Sequence, residues 1–177
     1  MGQRGVVVLE RESLPGTGST SRANGGIRAQ FTTEVNVAMS LASMDLLDAL
    51  EGELGDPPVY RKAGYLFVTG SAERLAALAE AAHWQRERGV AVEVLSAGQV
   101  RARVPWLGGA IAGGTFGARD GFIDPGRLCN FFLREATRAG ARIRYGAEVT
   151  AIEPGFRLRT PAGEVHADCV EIGRAHV

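Results

Sequence analysis

A glycine pair followed closely by an arginine, Gly25, Gly26 and Arg28, has residue types suited to contact with a small molecule. Glycine carries no Cβ, so the backbone at such a pair can approach a flat ring closely. The guanidinium of Arg28 is a planar fork of N–H donors that matches a carboxylate. A plain surface charge is the other interpretation of Arg28, and the residues alone leave both open.

A carboxylate, Glu10, comes directly after an apolar run that begins at Val6. The near-continuous run predicts a strand over residues 5–10 of a parallel sheet, covered on both faces. An acid at the C-terminal end of such a strand can accept hydrogen bonds from both hydroxyls of an adenosine ribose. An ordinary solvated strand end is the alternative, because charged residues often follow strands.

Residues 16–21, GTGSTS, look superficially like the glycine-rich fingerprint of a phosphate loop. That fingerprint requires a strand before it and a helix directly after it. Pro15 and the loop composition instead predict a stretch without regular structure. Its hydroxyls and backbone N–H groups can still face a pyrophosphate, and a flexible surface loop is the alternative.

Composition excludes several classes of function. The formal net charge is zero, which gives no electrostatic case for binding nucleic acid or an acidic membrane surface. No apolar run approaches the roughly 20 residues of a membrane span, and no secretory signal is recognised, so a cytoplasmic location is the default expectation. Cys129 and Cys169 lack metal-ligand spacing; we expect buried thiols and no metal site.

The periodicity predicts three main helices and several short strands. The first helix covers 33–54, with a cap at Thr32 or Thr33 and a stop at Gly55 and the Pro57–Pro58 pair. Its predicted apolar stripe is Val35, Met39, Ala42, Leu46, Leu50 and Leu54. Two further helices are predicted over 72–88, capped by Ser71, and over 125–139, capped by Asp124, and a short helix begins with a capping box of Ser96 and Gln99. The predicted strands are a hairpin over 59–62 and 65–69, and strands over 90–95, 110–116, 142–145, 148–152, 156–160 and 164–170.

These elements predict an α/β fold with an α+β insertion. The two ends of the chain look like parts of a nucleotide-binding domain, and the middle looks like an antiparallel sheet with helices. The predicted segments are 1–56, 57–118 and 119–170. Residues 171–177, EIGRAHV, match the translation of a common sequencing adapter and are expected to be an artefactual tail.

Three segments resemble the FAD-dependent oxidoreductases of the D-amino-acid oxidase superfamily, in the branch of sarcosine oxidase, glycine oxidase and the catalytic subunit of L-proline dehydrogenase. They are VVVLERESLPGTGSTSRANGGIRAQF, RARVPWL and DGFIDPGRLCNFFLREATRAGARIRYGAEVTAI. The resemblance implies a partial FAD-binding Rossmann-like domain plus an antiparallel-sheet substrate domain. Because the family's first strand and C-terminal part are lacking, we expect the chain to be a fragment of a longer enzyme.

The resemblance also implies roles for individual residues, with FAD as the cofactor. Arg28 falls where the sarcosine-oxidase branch binds the substrate carboxylate. The implied cofactor contacts are Glu10 to the adenosine ribose, Arg11 beside the adenine, Ser19, Thr20 and Ser21 facing the pyrophosphate and ribityl chain, Gly25, Gly26 and Ile27 against the isoalloxazine, and the backbone of Val149 at the adenine.

The implied activity of the intact parent is oxidation of the CH–NH bond of a small amine or amino acid, of the sarcosine, glycine or proline type, with hydride transfer to the flavin. The implied partners are that small-molecule substrate and, in the parent, a second subunit of a hetero-oligomer. Two alternatives stay open: a non-catalytic FAD- or nucleotide-binding subunit, and a truncated fragment that is inactive by itself.

Overall fold

The computed structural model describes residues 5–55 and 58–173, which divide into two compact units. The terminal unit contains residues 5–22 and 129–173, and the central unit contains residues 23–55 and 58–128. The three segments expected from the sequence stay a prediction about the domains of the whole protein. Pro57 and residues 174–177 of the expected tail lie outside the described residues.

The structure contains short strands and six helices among the residues that it describes. The helices are α1 (Ser19–Arg22), α2 (Glu34–Ala49), α3 (Glu51–Leu54), α4 (Ala72–Glu87), α5 (Ala97–Arg103) and α6 (Pro125–Arg138). The strands are β1 (Val7–Leu9), β2 (Gly26–Ile27), β3 (Tyr60–Arg61), β4 (Tyr65–Thr69), β5 (Val92–Ser96), β6 (Gly113–Gly117), β7 (Gly121–Ile123), β8 (Arg142–Arg144), β9 (Ala151–Glu153), β10 (Arg157–Thr160) and β11 (Gly163–His166).

The terminal unit contains the parallel strand that the apolar run predicted. β1 pairs in parallel with β8, and the backbone N–H of Glu10 extends the ladder by donating to the carbonyl of Arg144 at 2.9 Å. The expected burial of both faces is wrong for the described residues, since Val6 and Val8 are 40% and 38% exposed. β9, β10 and β11 form a separate antiparallel sheet, in the order β11-β10-β9.

The central unit is built on two antiparallel sheets, as expected for the insertion. One has the order β4-β6-β5, with α4 packed against all three strands and α5 against β5 and β6. The other has the order β2-β7-β3. The predicted hairpin of β3 and β4 is wrong, because β3 pairs with β7 and β4 pairs with β6. Gly121 permits the β3–β7 pairing: a Cβ there would lie 2.0 Å from the carbonyl oxygen of Arg61.

The first long helix is interrupted, and the face that it buries differs from the predicted face. α2 ends at Ala49 and α3 ends at Leu54, before Gly55 with φ +86°. The core receives Val37, Met44 and Leu47, while Val35 and Met39 of the predicted stripe are 62% and 64% exposed. Apolar residues lie on more than one face of this helix, so the helical period alone is compatible with two orientations. Thr33 occupies the N-cap position without a capping hydrogen bond from its side chain.

The other predicted caps are confirmed. Ser96 and Gln99 form a reciprocal capping box at the start of α5, and the Ser71 hydroxyl accepts from the backbone N–H of Arg74. The carboxylate of Asp124 accepts from the backbone N–H of Arg127 at 2.9 Å at the start of α6. The expectation of buried thiols is wrong, since Cys169 is exposed and Cys129 is only half-buried.

Candidate functional site

Arg28 follows β2 directly and lies among aromatic side chains of the central unit. Its guanidinium carbon is 4.9 Å from the ring centre of Phe31, 5.4 Å from that of Phe67 and 5.7 Å from that of Tyr65. A cation over an aromatic face is attracted by the ring quadrupole. The three rings therefore hold the flat guanidinium in a defined place while leaving its edge free to donate hydrogen bonds.

A cavity of about 280 Å³ opens beside this guanidinium. It lies within the central unit, and its wall combines rings and aliphatic groups with a few polar side chains. The lining residues are Arg28, Gln30, Phe31, Thr32, Phe67, Leu78, Ala81, Gln85 and Thr115. A mostly apolar wall with few convergent polar groups is typical of a small-molecule site.

Arg28 differs from the other ring-stacked cations of the described residues. Arg88 stacks on Trp84 and Arg103 on Phe116, and both also lie within 4.0 Å of a glutamate carboxylate. The same proximity to a carboxylate holds for Lys62 and Arg134. In residues 5–55 and 58–173, no carboxylate lies within that distance of the Arg28 guanidinium, so Arg28 forms no salt bridge there.

A buried polar network lies immediately after Arg28 in the chain. The carboxylate of Asp120, which is 1% exposed, accepts from the backbone N–H of Ala29 and from the amide of Gln30, both at 2.9 Å. The Gln30 amide also donates to the carbonyl of Tyr65 at 3.0 Å, and its oxygen accepts from the hydroxyl of Thr115 at 2.8 Å. Burial raises the pKa of Asp120, against the opposing effects of these two donors and of the charge on Arg28.

The two glycines before Arg28 have different surroundings. Gly25 has φ +70°, and a Cβ there would lie 2.1 Å from the carbonyl oxygen of Ile123. Its own carbonyl accepts from the N–H of Ile123 at 2.8 Å, so the fold itself requires glycine at this position. Gly26 is exposed, and a Cβ there would meet only the side-chain oxygen of Asn24, at 3.5 Å. Ile27 is half-buried in β2.

Glu10 stands at the C-terminal end of β1, as predicted for a ribose-binding acid. One carboxylate oxygen accepts from the backbone N–H of Glu12 at 2.9 Å, which orients the group and leaves the other oxygen for a further donor. Arg11 pairs with the carboxylate of Glu12 at 2.9 Å. Val149 lies in the loop between β8 and β9, outside the strand predicted for it.

A short helix, α1, begins at Ser19, within the stretch that was predicted to lack regular structure. The Ser21 hydroxyl donates within its own loop, to the carbonyls of Thr17 and Gly18, both at 3.1 Å. Ser19 and Thr20 are half-buried in α1. The predicted pyrophosphate contacts of Ser19, Thr20 and Ser21 stay predictions.

Metal-binding clusters and membrane spans are two further features that could define a function. In the described parts of the chain, no group of three or more His, Cys, Asp or Glu side chains is arranged to hold a metal ion. The same residues contain no helix with the length and apolar character needed to cross a lipid bilayer.

The sequence singled out Arg28, whose role stays a prediction, but it did not indicate which residues surround Arg28. Asp120 lies 91 residues from its partner Ala29, and Thr115 lies 85 residues from Gln30. A single sequence without pairing information carries no signal for such contacts. The alternation of Tyr65 and Phe67 in one strand was readable, and it places both rings on one face.

Comparison with known proteins identifies similar sequences over almost the whole chain. The model of the family "DAO: FAD dependent oxidoreductase" matches residues 2–172. The "FAD-dependent oxidoreductase domain-containing protein 1" of Xenopus laevis is 33% identical over 153 residues, which are 82% of this chain and 30% of that protein. Its homolog in Drosophila melanogaster is 32% identical over 148 residues, 81% of this chain and 28% of that protein.

Solved structures give the same relationship in three dimensions. L-proline dehydrogenase from P. horikoshii superposes with a TM-score of 0.82 at 27% identity, covering 91% of this chain and 44% of that one. Glycine oxidase from Geobacillus kaustophilus superposes with a TM-score of 0.78 at 26% identity, covering 92% and 46%. The chain thus spans about 30% of these curated relatives and less than half of these two solved chains.

Proposed function

This chain belongs to the DAO family of FAD-dependent oxidoreductases, and from that premise we propose that the whole protein oxidises the CH–NH bond of a small carboxylated amine or amino acid. The two structural neighbours described above, by their names, act on proline and glycine. Arg28 is the residue of this chain to which we assign the substrate carboxylate.

Two features of this chain, each within its own unit, fit FAD. The free carboxylate oxygen of Glu10, at the end of a parallel strand, suits a ribose hydroxyl. The exposed backbone of Gly26, where a Cβ would meet only the side chain of Asn24, suits a flat ring. When bound, FAD supplies the acceptor for the hydride, so the protein needs no nucleophile–base pair of its own for the redox step.

The lack of a salt bridge to Arg28 is the observation that carries the substrate assignment. The cation is stacked on rings beside a cavity, and no carboxylate of the described residues lies within 4.0 Å of it. A substrate carboxylate would supply the missing partner and accept two parallel N–H bonds from the guanidinium edge. That contact would fix the orientation of the Cα–N bond, which is the role of a positioning clamp in catalysis.

The test is a kinetic comparison in the full-length protein. Arg28→Ala is expected to raise KM for the carboxylated amine about 10- to 100-fold, because a hydrogen bond to a charged group contributes about 1.5–3 kcal/mol. The KM for the same amine without its carboxylate should change little, and flavin should stay bound. Arg74→Ala, which removes an exposed arginine of α4, is the matched control. Unchanged kinetics in Arg28→Ala would contradict the assignment.

The same preparations separate the alternative functions. A non-catalytic FAD-binding subunit would show the visible absorbance of bound flavin without turnover of any amine. A truncated, inactive fragment would show neither when this chain is produced alone, whereas the full-length protein would show both. Cytoplasmic location and a hetero-oligomeric parent stay predictions.

A further inference from the structure

We infer that Asp120 is a positioning residue for Arg28. It holds the backbone directly after Arg28, so that the Arg28 guanidinium lies over the rings beside the cavity. The inference rests on the substrate role proposed for Arg28. It adds a residue 92 positions further along the chain to the machinery that binds the carboxylate.

The contact is direct and immediately next to Arg28. The Asp120 carboxylate accepts from the N–H of Ala29, the residue that follows Arg28, at 2.9 Å. Ala29 is 2% exposed, so no water can replace this acceptor without opening the core. A backbone N–H fixed at this point limits the directions in which the preceding side chain can leave the chain.

A second bond fixes the next residue. The other Asp120 oxygen accepts from the Gln30 amide at 2.9 Å, and the side chain of Gln30 is also bonded to Tyr65 and Thr115. Gly117 leaves room for this pair, since a Cβ there would lie 2.3 Å from the Asp120 carboxylate and 2.9 Å from the Gln30 amide nitrogen. Asp120 thereby ties Ala29 and Gln30 to the strand that carries the aromatic ring of Tyr65.

A carboxylate at this position satisfies both donors. It accepts one hydrogen bond on each oxygen, and an ionised carboxylate is acceptor-only on both oxygens. An asparagine of the same size keeps an acceptor for the N–H of Ala29, and its N–H₂ group can donate to the Gln30 oxygen if that amide turns over, so that only the carbonyl of Tyr65 loses its donor. An alanine removes both acceptors. No described basic side chain lies within 4.0 Å of the Asp120 carboxylate, although the charge on Arg28 favours its ionised form and opposes the rise of its pKa. A test of the positioning role therefore includes a neutral variant that keeps an acceptor for Ala29.

The experiment uses the full-length protein with bound flavin. Asp120→Ala, which removes both acceptors, is expected to raise KM for the carboxylated amine about 10-fold, the order of effect that a small misplacement of a binding group produces. The KM for the amine without a carboxylate and the flavin content should stay close to those of the unmodified protein. In the double variant with Arg28→Ala, Asp120→Ala should add less than about twofold, because the side chain that it positions is already gone.

A conservative variant separates positioning from general destabilisation. Asp120→Asn serves as this variant, because the oxygen of the new amide can accept from Ala29 and its N–H₂ group can donate to Gln30 once that amide turns over. We expect the KM of Asp120→Asn to stay within about threefold of the unmodified value, although the negative charge of Asp120 is gone. Asp48→Ala, which makes the same change as Asp120→Ala in an ion-pair network of the central unit, is the control for lowered stability without an effect on KM.

Three kinetic results overturn the inference. They are a folded Asp120→Ala variant with unchanged KM, an equal rise in KM for the amines with and without a carboxylate, and an Asp120→Asn variant whose KM is as high as that of Asp120→Ala. If Asp120→Ala does not fold, Asp120→Leu, which also lacks an acceptor, takes its place, and failure of both to fold overturns the inference in favour of a purely structural role. Failure of the proposed function is distinguishable, because Arg28→Ala would then leave KM unchanged whatever Asp120→Ala does.

Discussion

Substituting the two glycines before Arg28 one at a time separates what the fold needs from what a ligand needs. Gly25→Ala places a Cβ 2.1 Å from the carbonyl oxygen of Ile123 and forces alanine into φ +70°. The left-handed conformation costs a non-glycine residue roughly 1–2 kcal/mol. Displacing Ile123 breaks its hydrogen bond to the Gly25 carbonyl, which costs about 1 kcal/mol more. We therefore expect Gly25→Ala to destabilise the protein by about 2–3 kcal/mol.

Gly26→Ala is expected to affect flavin binding and to leave stability nearly unchanged. Its Cβ meets only the Asn24 side chain, at 3.5 Å, which is ordinary van der Waals contact. Stability should change little, or rise by up to about 1 kcal/mol, because alanine has less freedom in the unfolded chain. If the exposed backbone of Gly26 lies against the isoalloxazine, the added methyl group should weaken flavin binding.

The assay combines denaturant unfolding of both variants with flavin titration of the full-length protein, followed by visible absorbance. Gly26→Ala should unfold like the unmodified protein and bind flavin more weakly by about 10-fold or more, which corresponds to about 1.4 kcal/mol. A Gly26→Ala variant with normal flavin affinity would refute the placement of the ring at Gly26. A Gly25→Ala variant of normal stability would refute the steric argument for Gly25.

Two further predictions concern stability. Met44→Ala, at a fully buried position of α2, should lower the free energy of unfolding by about 2–5 kcal/mol, measured by urea denaturation. The hydrogen bond with Lys62, and then the contacts with Arg119, lower the pKa of Asp48. The contribution of Asp48 to the free energy of unfolding is therefore present above its unfolded pKa and is lost as pH falls through the lower folded pKa. Asp48→Asn should therefore be about 0.5–1 kcal/mol less stable than the unmodified protein at neutral pH, and denaturation at a series of pH values should show this difference shrinking below about pH 4.

The elements that the sequence predicted correctly depend on contacts between residues that are close together in the chain. The cap formed by Asp124 and the box formed by Ser96 and Gln99 close within four residues, so the residues that determine them are near one another in the chain. The partner of β3 is different, since Tyr60 pairs with Ile123, beyond β4, β5 and β6. A hairpin was the expected arrangement because neighbouring strands often pair, and the backbone approach allowed by Gly121 overrides that tendency.

The candidate site shows the same difference between local and distant contacts. Arg28 could be proposed from the sequence because a glycine pair and an arginine are a local pattern with a physical meaning, and its role stays a prediction. The lack of a salt bridge to Arg28 could not be predicted, because it depends on where the acidic side chains of the fold lie. The apolar face of α2 was predicted wrongly for a related reason, since the buried Met44 and the exposed Met39 differ only in what packs against them.

The segment that carries Arg28 is held along its length by one distant stretch of the chain. Gly25 accepts from the N–H of Ile123, β2 pairs with β7, and Ala29 donates to Asp120. These contacts join residues that are far apart in the sequence, so the guanidinium acquires its place only when the central unit has folded. A substitution in residues 120–123 should therefore weaken binding of the carboxylate even though these residues do not contact the ligand. Among such variants, the rise in KM should follow the loss of contacts with residues 25–29 and not the loss of stability.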